Sequence, residues 1–339
     1  MIEVVDPSVA ARDPAMPSLA LALDPAQAER ALKRLPGLAR DQARLRAIRV
    51  TRHKPGRRCL VEYDLEVERA GSASELVTVI GKVRAGRYGM AGYRLLTAFR
   101  EAGFVEDSPD GIAVPEPVGT LSKFHMWVQR KVAGPGATEL LPAPEGVTLA
   151  RRIAEAAYKV HAAGVRAERR HSMAHELQIL HRCLQTVAIG EPRWVSRLAS
   201  ILRACEALAR AAPETAPCGI HRDFYGDQVV VAGARLYLID FDLYCAGERA
   251  LDIGNFLGHV TEQSLRRGGD PGALGVVERA LEDRYVELTS EELRPRIRCY
   301  AALTLVRHIY LSTLFPERRP LTLSLIDLCE DRLGVLSPV

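Results

Sequence analysis

The sequence contains no motif that pairs its cysteines. Its seven cysteines stand at positions 59, 183, 205, 218, 245, 299 and 329, without a Cys-x-x-Cys pair or the close spacing of a zinc ribbon or a disulfide framework. No stretch approaches the roughly eighteen apolar residues of a membrane span, and residues 1–6 lack a basic region followed by an apolar core. These absences predict reduced thiols, a cytoplasmic location, and neither secretion nor membrane insertion.

Concentrated charge and a platform of aromatic residues are also missing. The 46 Lys and Arg residues against 42 Asp and Glu residues give a net charge of +4 that is spread along the chain, and aromatic residues make up only 6%. Nucleic-acid binding would need a basic stripe and exposed rings. We therefore expect no nucleic-acid partner, and nothing in the pattern predicts an oligomeric state.

What is present is a chain of 339 residues, 47% of them apolar, which suffices for two domains or one large two-lobed unit. Residues 1–23 carry three prolines and little periodicity, which predicts a loosely ordered N-terminal arm. Residues 24–132 combine β-rich runs with inserted helix patterns, whereas residues 133–339 are mainly helical with short β segments. We expect an α+β fold with a small antiparallel-sheet N-lobe and a larger helical C-lobe.

The most informative segment runs from His221 to Asp240. Asp223 is followed five residues later by Gln228, and Asp240 comes after a short apolar strand. One carboxylate can take a proton from an attacking hydroxyl, while the amide and the second carboxylate offer hard oxygen ligands for Mg²⁺ against nucleotide phosphates. The spacing therefore indicates metal-assisted phosphoryl transfer.

This segment resembles the catalytic loop of the aminoglycoside phosphotransferase and choline kinase family, in which His-Gly-Asp is followed by four residues and then Asn. The similarity extends over about residues 45–315 and implies a bilobal protein-kinase-like fold. It implies Asp223 as the catalytic base, with His221 as structural support of the loop. It also implies ATP or GTP as the phosphate donor and Mg²⁺ held by Gln228 and Asp240.

Two positions depart from the family pattern. Arg222 stands where the family usually has glycine, as is normal in protein kinases. Gln228 stands where the family has asparagine, so the carbonyl ligand lies one methylene further out, and the metal geometry can differ. Asp252 resembles the family aspartate at a helix start that braces the catalytic loop, which is a structural role.

Candidate nucleotide contacts come from the first lobe. Lys82 matches the family lysine that pairs with nucleotide phosphates, and the alternative is an edge-strand lysine that reaches solvent. Lys54 and Arg58 flank a Pro-Gly-Arg turn with three cations in all, which fits either a phosphate-binding turn or a plain charged hairpin. The segment of Gln129, Arg130, Lys131 and Val132 fits the interlobe hinge, where adenine would bond to the backbone.

Other candidates are predicted to be ordinary. His161 is expected to pack or to cap its helix, and His171 and His175 lack a His-Glu-x-x-His motif, so surface positions are expected. Asp227 and Asp242 flank the motif and are expected to be solvated loop carboxylates.

The functional expectation is a small-molecule kinase that moves the γ-phosphate of ATP to a hydroxyl of a sugar, an amino alcohol or an antibiotic-like molecule. Gln228 and the lack of a glutamate over 88–100 leave open a catalytically silent pseudokinase that binds nucleotide or a partner. A protein kinase is disfavoured because no Ala-Pro-Glu segment follows Asp240. The arginines within 291–320 suit a neutral or anionic acceptor at least as well as a cationic one.

Overall fold

The computed structural model describes residues 2–38, 42–68, 74–86 and 90–335. The chain separates into two compact units, Met1–Ala133 and Gly134–Val339. The helices and strands of each unit are described within that unit.

The N-terminal unit is built on a six-stranded sheet with the strand order β1-β2-β3-β4-β7-β6. All neighbouring strands are antiparallel except β1 and β2, which are parallel. In β3, alternate residues from Cys59 to Val67 are apolar and buried, as expected for a strand with one face on a core. The unit contains the strands β1 (Glu3–Val5), β2 (Gln42–Lys54), β3 (Arg58–Glu68), β4 (Glu75–Arg84), β5 (Ile112–Ala113), β6 (Pro117–Leu121) and β7 (Met126–Arg130), and the helices α1 (Ser18–Ala22), α2 (Pro25–Leu32) and α3 (Ala91–Glu101).

The N-terminal segment is an ordered part of this unit, so the expectation of a loosely ordered arm is wrong. Strand β1 pairs with Ala47–Arg49 of β2, and the side chains of Met16 and Leu19 are buried in the core. Tyr63 in β3 donates a hydrogen bond of 3.0 Å to the carbonyl oxygen of Ala22. Local patterns mark prolines as loop signals, but they do not report pairing with a distant strand.

The C-terminal unit is mainly helical, as predicted. Its two central helices are α8 and α10; α8 is buried along nearly its whole length up to Leu265. Its helices are α4 (Ala137–Leu140), α5 (Gly146–Ala162), α6 (Met173–Gly190), α7 (Val195–Ala211), α8 (Ala250–Gly268), α9 (Gly275–Leu288), α10 (Arg294–Leu314) and α11 (Thr322–Leu333), and its strands are β8 (Pro217–Ile220), β9 (Val229–Ala232), β10 (Arg235–Leu238) and β11 (Cys245–Glu248).

The short strands of this unit form two antiparallel pairs, β8 with β11 and β9 with β10. Strand β11 and helix α4 were not predicted, because each has only four residues and no apolar periodicity of its own. Among the described residues, no helix is long and apolar enough to cross a membrane.

Candidate active site

The His221–Gln228 segment connects two strands that are each held by a partner. It begins directly after β8, which pairs with β11, and it ends where β9 begins its pairing with β10. Loops fixed at both ends by strands are suited to hold reactive side chains in place. The segment is therefore held between two short paired strands.

A single buried carboxylate holds the first turn of this segment. Asp252, in the first turn of α8 and 1% exposed, accepts hydrogen bonds from the backbone N–H of His221 at 2.7 Å and from that of Arg222 at 2.6 Å. Bonds to an ionised acceptor are stronger than neutral ones, and both donors are fixed parts of the backbone. Asp252 therefore determines the position of the residues that precede Asp223.

Asp252 is itself oriented by His161, a residue whose contact with the site the sequence did not reveal. His161 Nε2 lies 2.9 Å from Asp252 Oδ2, and its Nδ1 lies 2.6 Å from the hydroxyl of Tyr285. Burial raises the pKa of Tyr285, so its hydroxyl stays protonated. His161 was expected only to pack or cap, because a lone histidine on a helix gives no sequence signal of a partner ninety-one residues away.

Arg222 adopts a left-handed backbone conformation with φ of 71°. Glycine takes this conformation freely, whereas a residue with a Cβ does so at a cost of about 1–2 kcal/mol. The preference of the family for glycine here thus has a conformational reason. In this chain the hydrogen bond from the Arg222 N–H to Asp252 holds the strained conformation.

The side chain of His221 joins the loop to the end of β10. Its Nε2 lies 2.9 Å from the carbonyl oxygen of Ile239, and its ring packs against Phe241 with the centroids 4.6 Å apart. Asp240 lies between those two residues, with a left-handed φ of 60°. The loop and the segment that carries Asp240 are therefore fixed to each other.

The carboxylate of Asp223 differs from that of Asp252. Asp223 is partly exposed, and in the described part of the chain its side chain makes no hydrogen bond or ion pair. A partly accessible carboxylate on a rigid loop can accept a proton from a bound hydroxyl. Asp227, four residues further on, is exposed.

Gln228 lies on a tightly packed turn, Gly226–Gln228. Its side chain is 6% exposed, and its backbone carbonyl accepts a hydrogen bond of 3.0 Å from the Ile239 N–H. Helix α4 packs so closely that a Cβ on Gly226 would lie 2.7 Å from the backbone nitrogen of Thr138. Glycine at position 226 therefore allows the approach that fixes the turn.

In the N-terminal unit, Lys82 lies on β4, which is an interior strand between β3 and β7. The edge-strand alternative is therefore wrong. Lys82 is half-buried, and its Nζ lies 5.1 Å from the ring centroid of Trp127 on β7. Such a cation–π contact keeps the ammonium group oriented.

The turn between β2 and β3 is held by Asp13 of the N-terminal segment. Gly56 takes a φ of 64°, and the Arg57 N–H donates to the carbonyl of Lys54, as in a type II turn with Pro55 at its second position. Asp13 Oδ2 accepts from the Gly56 N–H at 2.8 Å and lies 2.8 Å from His53 Nε2. The turn is therefore held in one conformation.

The cations of this turn repel one another. Partial burial lowers the pKa of Lys54, and the nearby charges of Arg58, Arg52 and Arg57 lower it further. A bound anion would relieve that repulsion. Both the phosphate-binding and the hairpin interpretation of the sequence stay predictions.

The predicted hinge residues lie at the end of β7 and just after it. Gln129 is buried on β7, between Ile80 of β4 and Pro117 of β6. The ammonium of Lys131 forms an ion pair with Glu62 at 2.8 Å, so its side chain is engaged within the sheet. Val132 follows Lys131 and is partly exposed.

The prediction that His171 lies at the surface is wrong. It is buried, and its Nε2 lies 2.5 Å from Glu176 Oε1, while Glu176 also contacts Arg307 at 3.5 Å. The ring of the exposed His175 stacks on His171 at 5.4 Å. Buried charges occur in such hydrogen-bonded groups because an isolated one would be costly.

Solved structures with a similar fold include several small-molecule kinases. A choline/ethanolamine kinase family protein from Mesorhizobium loti has a TM-score of 0.54, with 16% identity over 91% of this chain and 94% of its own. A thermostable mutant of an aminoglycoside phosphotransferase, in ternary complex with ADP and hygromycin B, has a TM-score of 0.54, with 12% identity over 88% of this chain and 95% of its own. Glucosamine kinase in complex with glucosamine, ADP and inorganic phosphate has a TM-score of 0.53, with 18% identity over 76% and 79%. The α+β, protein-kinase-like fold is thereby confirmed.

The sequence comparison gives the family. Residues 91–295 match the sequence model of the phosphotransferase enzyme family, which is more than half of the chain. No curated protein matches the sequence. The chain belongs to the phosphotransferase enzyme family, and family and fold together identify it as a small-molecule kinase.

Proposed function

We propose that this protein transfers the γ-phosphate of ATP to a hydroxyl group of a small molecule, with Mg²⁺ as the metal ion. The observation that carries the proposal is the rigid loop on which Asp252 fixes the backbone before Asp223 while the Asp223 carboxylate stays without a partner among the described residues. The two similar kinases with ADP in their complexes support ATP as the donor.

In this reaction the hydroxyl oxygen of the acceptor attacks the γ-phosphorus in line. A new O–P bond forms as the bond between the γ-phosphorus and the oxygen bridging to the β-phosphate breaks. The hydroxyl proton passes to the carboxylate of Asp223, and the products are a phosphate ester and ADP. Such a step depends mainly on positioning, because the protein forms no covalent bond itself.

The donor set around this loop fits Mg²⁺. The residues that would hold the ion are Asp240 and Gln228, both of which offer the hard oxygen ligands it prefers. The described residues contain no group of three or more His, Cys, Asp or Glu side chains suited to a metal. That fits an ion which takes its other ligands from water and phosphates; when bound, it would neutralise charge on the β- and γ-phosphate oxygens.

The nucleotide contacts are proposed from the N-terminal unit. Lys82, oriented on an interior strand by Trp127, would bind the phosphates. The rigid turn with Lys54 and Arg58 would add positive charge beside the phosphates. The backbone from Gln129 to Val132 would bind adenine.

The test is phosphate transfer by an Asp223→Asn variant, measured as ADP release with a panel of small alcohols. Loss of the base is expected to lower kcat by about 10²–10⁴-fold while ATP binding is retained. The matched control is Asp331→Asn, on the exposed end of α11, which leaves kcat unchanged. Unchanged transfer in the Asp223 variant would refute the proposed base.

Gln228 motivates a second candidate, a pseudokinase that binds nucleotide without transfer. Calorimetric ATP binding by the wild-type chain with no phosphorylation of any alcohol in the panel would support it. For the active enzyme, a Gln228→Ala variant is expected to need at least tenfold more Mg²⁺ for half-maximal transfer, since one oxygen ligand is lost.

A further inference from the structure

Three aromatic rings contact one another in a row that begins at Tyr225 in the His221–Gln228 loop. Tyr225, two residues after Asp223, stacks on His259 of α8 with centroids 4.5 Å apart and planes at 17°. His259 in turn meets the edge of His308 of α10, with centroids 4.5 Å apart and planes at 84°. These residues have no role in the transfer step described above.

His308 carries an unsatisfied polar atom. It is 2% exposed, and its Nε2 is one of two buried side-chain polar atoms without a hydrogen-bond partner in the described part of the chain, the other being His221 Nδ1. Buried polar atoms nearly always have a partner, so an orphaned one indicates that a ligand or an ordered water completes the site.

Arginines surround the two histidines. Burial and the positive charges of Arg307, Arg318 and Arg266 together lower the pKa of His259 to about 3. Burial and the same three arginines also lower the pKa of His308. Both imidazoles are thus neutral and only weakly polar.

The arginines outnumber the carboxylates that contact them. Among the described residues, Glu262 contacts both Arg266, at 3.0 Å, and Arg318, at 4.0 Å, while Glu176 contacts Arg307. Glu176 is in addition shared with His171. Arg266, Arg307 and Arg318 therefore form a cationic face, on which positive charges outnumber negative ones.

One of the arginines is tied to the catalytic loop. Arg307 donates a hydrogen bond of 2.7 Å to Asn255 Oδ1, and Asn255 Nδ2 donates one of 3.0 Å to the carbonyl oxygen of Phe224. Phe224 lies directly between Asp223 and Tyr225. The cationic face is thus fixed relative to the proposed base.

We propose that the acceptor binds against Tyr225, His259 and His308, and that it is a hydroxyl compound with a negatively charged group held by Arg318 and Arg266 beside Arg307. The proposal rests on the proposed function and names its substrate class. The rings would contact the carbon skeleton of the acceptor. The arginines would bind a carboxylate or a phosphate, since a guanidinium group matches both. A cationic amine would be repelled from the same place.

The test compares acceptors that share a sugar skeleton: D-gluconate and glucose 1-phosphate as anions, glucose as the neutral compound and glucosamine as the cation. With ATP and wild-type enzyme, kcat/KM for at least one anion is expected to exceed that for glucosamine tenfold or more. The ratio of the two anions distinguishes a carboxylate from a phosphate acceptor. Preference for glucosamine or glucose would overturn the inference.

The same compounds are titrated calorimetrically into Arg318→Gln and Arg266→Gln variants, with Arg319→Gln as the matched control. Arg319 is exposed, adjacent in sequence and without a contact to this face in the described structure. Binding of the preferred anion should weaken at least tenfold in the first two variants and less than twofold in the control. Equal binding in all variants, or no anion binding by any chain, would overturn the inference.

The two measurements separate this inference from the proposed function. Anion binding that depends on Arg318, together with no phosphate transfer to any compound, would refute the proposed function and keep the site. Transfer only to neutral or cationic acceptors would keep the proposed function and refute the anionic substrate class.

Discussion

The backbone N–H of Arg222 donates a hydrogen bond of 2.6 Å to Asp252 while Arg222 is in a left-handed conformation. Strain and hydrogen bond are coupled here, because the carboxylate compensates for a conformation that the arginine would otherwise avoid. The His221–Gln228 loop is therefore held by a buried carboxylate on a helix thirty residues further along the chain.

Replacing Arg222 by glycine should stabilise the protein. Glycine removes the cost of a Cβ in the left-handed region but loses more entropy on folding, so the free energy of unfolding should rise by about 0.5–1 kcal/mol. Urea denaturation measures the change. The control is Arg222→Ala, which removes the same side chain and keeps the Cβ; a glycine variant no more stable than the alanine variant contradicts the explanation.

Replacing Asp252 by asparagine should weaken both stability and catalysis. An amide can direct one oxygen at the donors of the loop, but its NH₂ group would face a donor, so the expected loss is about 1–3 kcal/mol of unfolding free energy. We also expect kcat to fall at least tenfold, as Asp223 moves with the loop. Chemical denaturation and transfer kinetics measure these changes. Asp331→Asn, already the control for Asp223, should alter neither; a stable and fully active Asp252→Asn variant would show that the loop is held by other contacts.

An alanine at position 226 should displace the turn that carries Gln228. The new Cβ would lie 2.7 Å from the Thr138 nitrogen, which is too close for the present packing. The expected cost is about 1–3 kcal/mol, together with a marked loss of transfer activity. Thermal unfolding and kinetics provide the readouts. Gly190→Ala, at the end of α6 with open space around it, serves as the control and should be neutral or slightly stabilising. Equal behaviour of the two variants would mean that the turn adapts without cost.

Stability should fall at acidic pH through Glu248. Burial by itself would raise the pKa of Glu248. Hydrogen bonds of 2.6 Å from Nε and Nη2 of the buried Arg296 lower that pKa overall. A carboxylate whose pKa is lowered in the folded state stabilises the protein fully when the pH is above the pKa of that group in the unfolded chain. That stabilisation is lost as the pH falls below about 4.5, the ordinary pKa of a glutamate, and through the lower pKa of Glu248 in the folded protein.

The measurement is urea denaturation between pH 3 and pH 7 of the wild-type chain and of Glu248→Gln. The variant should lose about 3 kcal/mol at pH 7, since Arg296 is left without its charged partner, and its stability should depend less on pH. The exposed Glu292 gives the control: Glu292→Gln should retain the wild-type pH profile. Parallel profiles for wild type and Glu248→Gln would show that this pair does not cause the acid sensitivity.

The sequence revealed the architecture where local and chemical signals agree. The spacing of Asp223, Gln228 and Asp240 led to the fold and the family, because metal-assisted phosphoryl transfer restricts which residue types can stand at those positions. The helices of the C-terminal unit followed from apolar periodicity. What remained hidden depends on long-range contacts: the pairing of β1 with β2, and the hydrogen bond between His161 and Asp252, which lie far apart in the chain.

The ring stack was hidden for a similar reason. Tyr225, His259 and His308 come from three separate segments, and no periodicity connects a loop tyrosine with one histidine on each of two helices. The arginines within 291–320 indicated only that this part of the chain is positively charged. Which arginines share one face follows from the packing of α8 beside α10.

The parallel pairing of β1 also covers part of one edge of the sheet. Strand β2 has thirteen residues, and without Glu3–Val5 the backbone groups of Ala47–Arg49 that they pair with would form an open edge. Open edges of long strands recruit other strands and lead to aggregation, and short covering strands and bulges are common protections. β2 has both, since its register with β3 shifts near Leu45 and again near Val50. Glu3–Val5 thus cover backbone groups of β2 that could otherwise pair with a strand of another molecule.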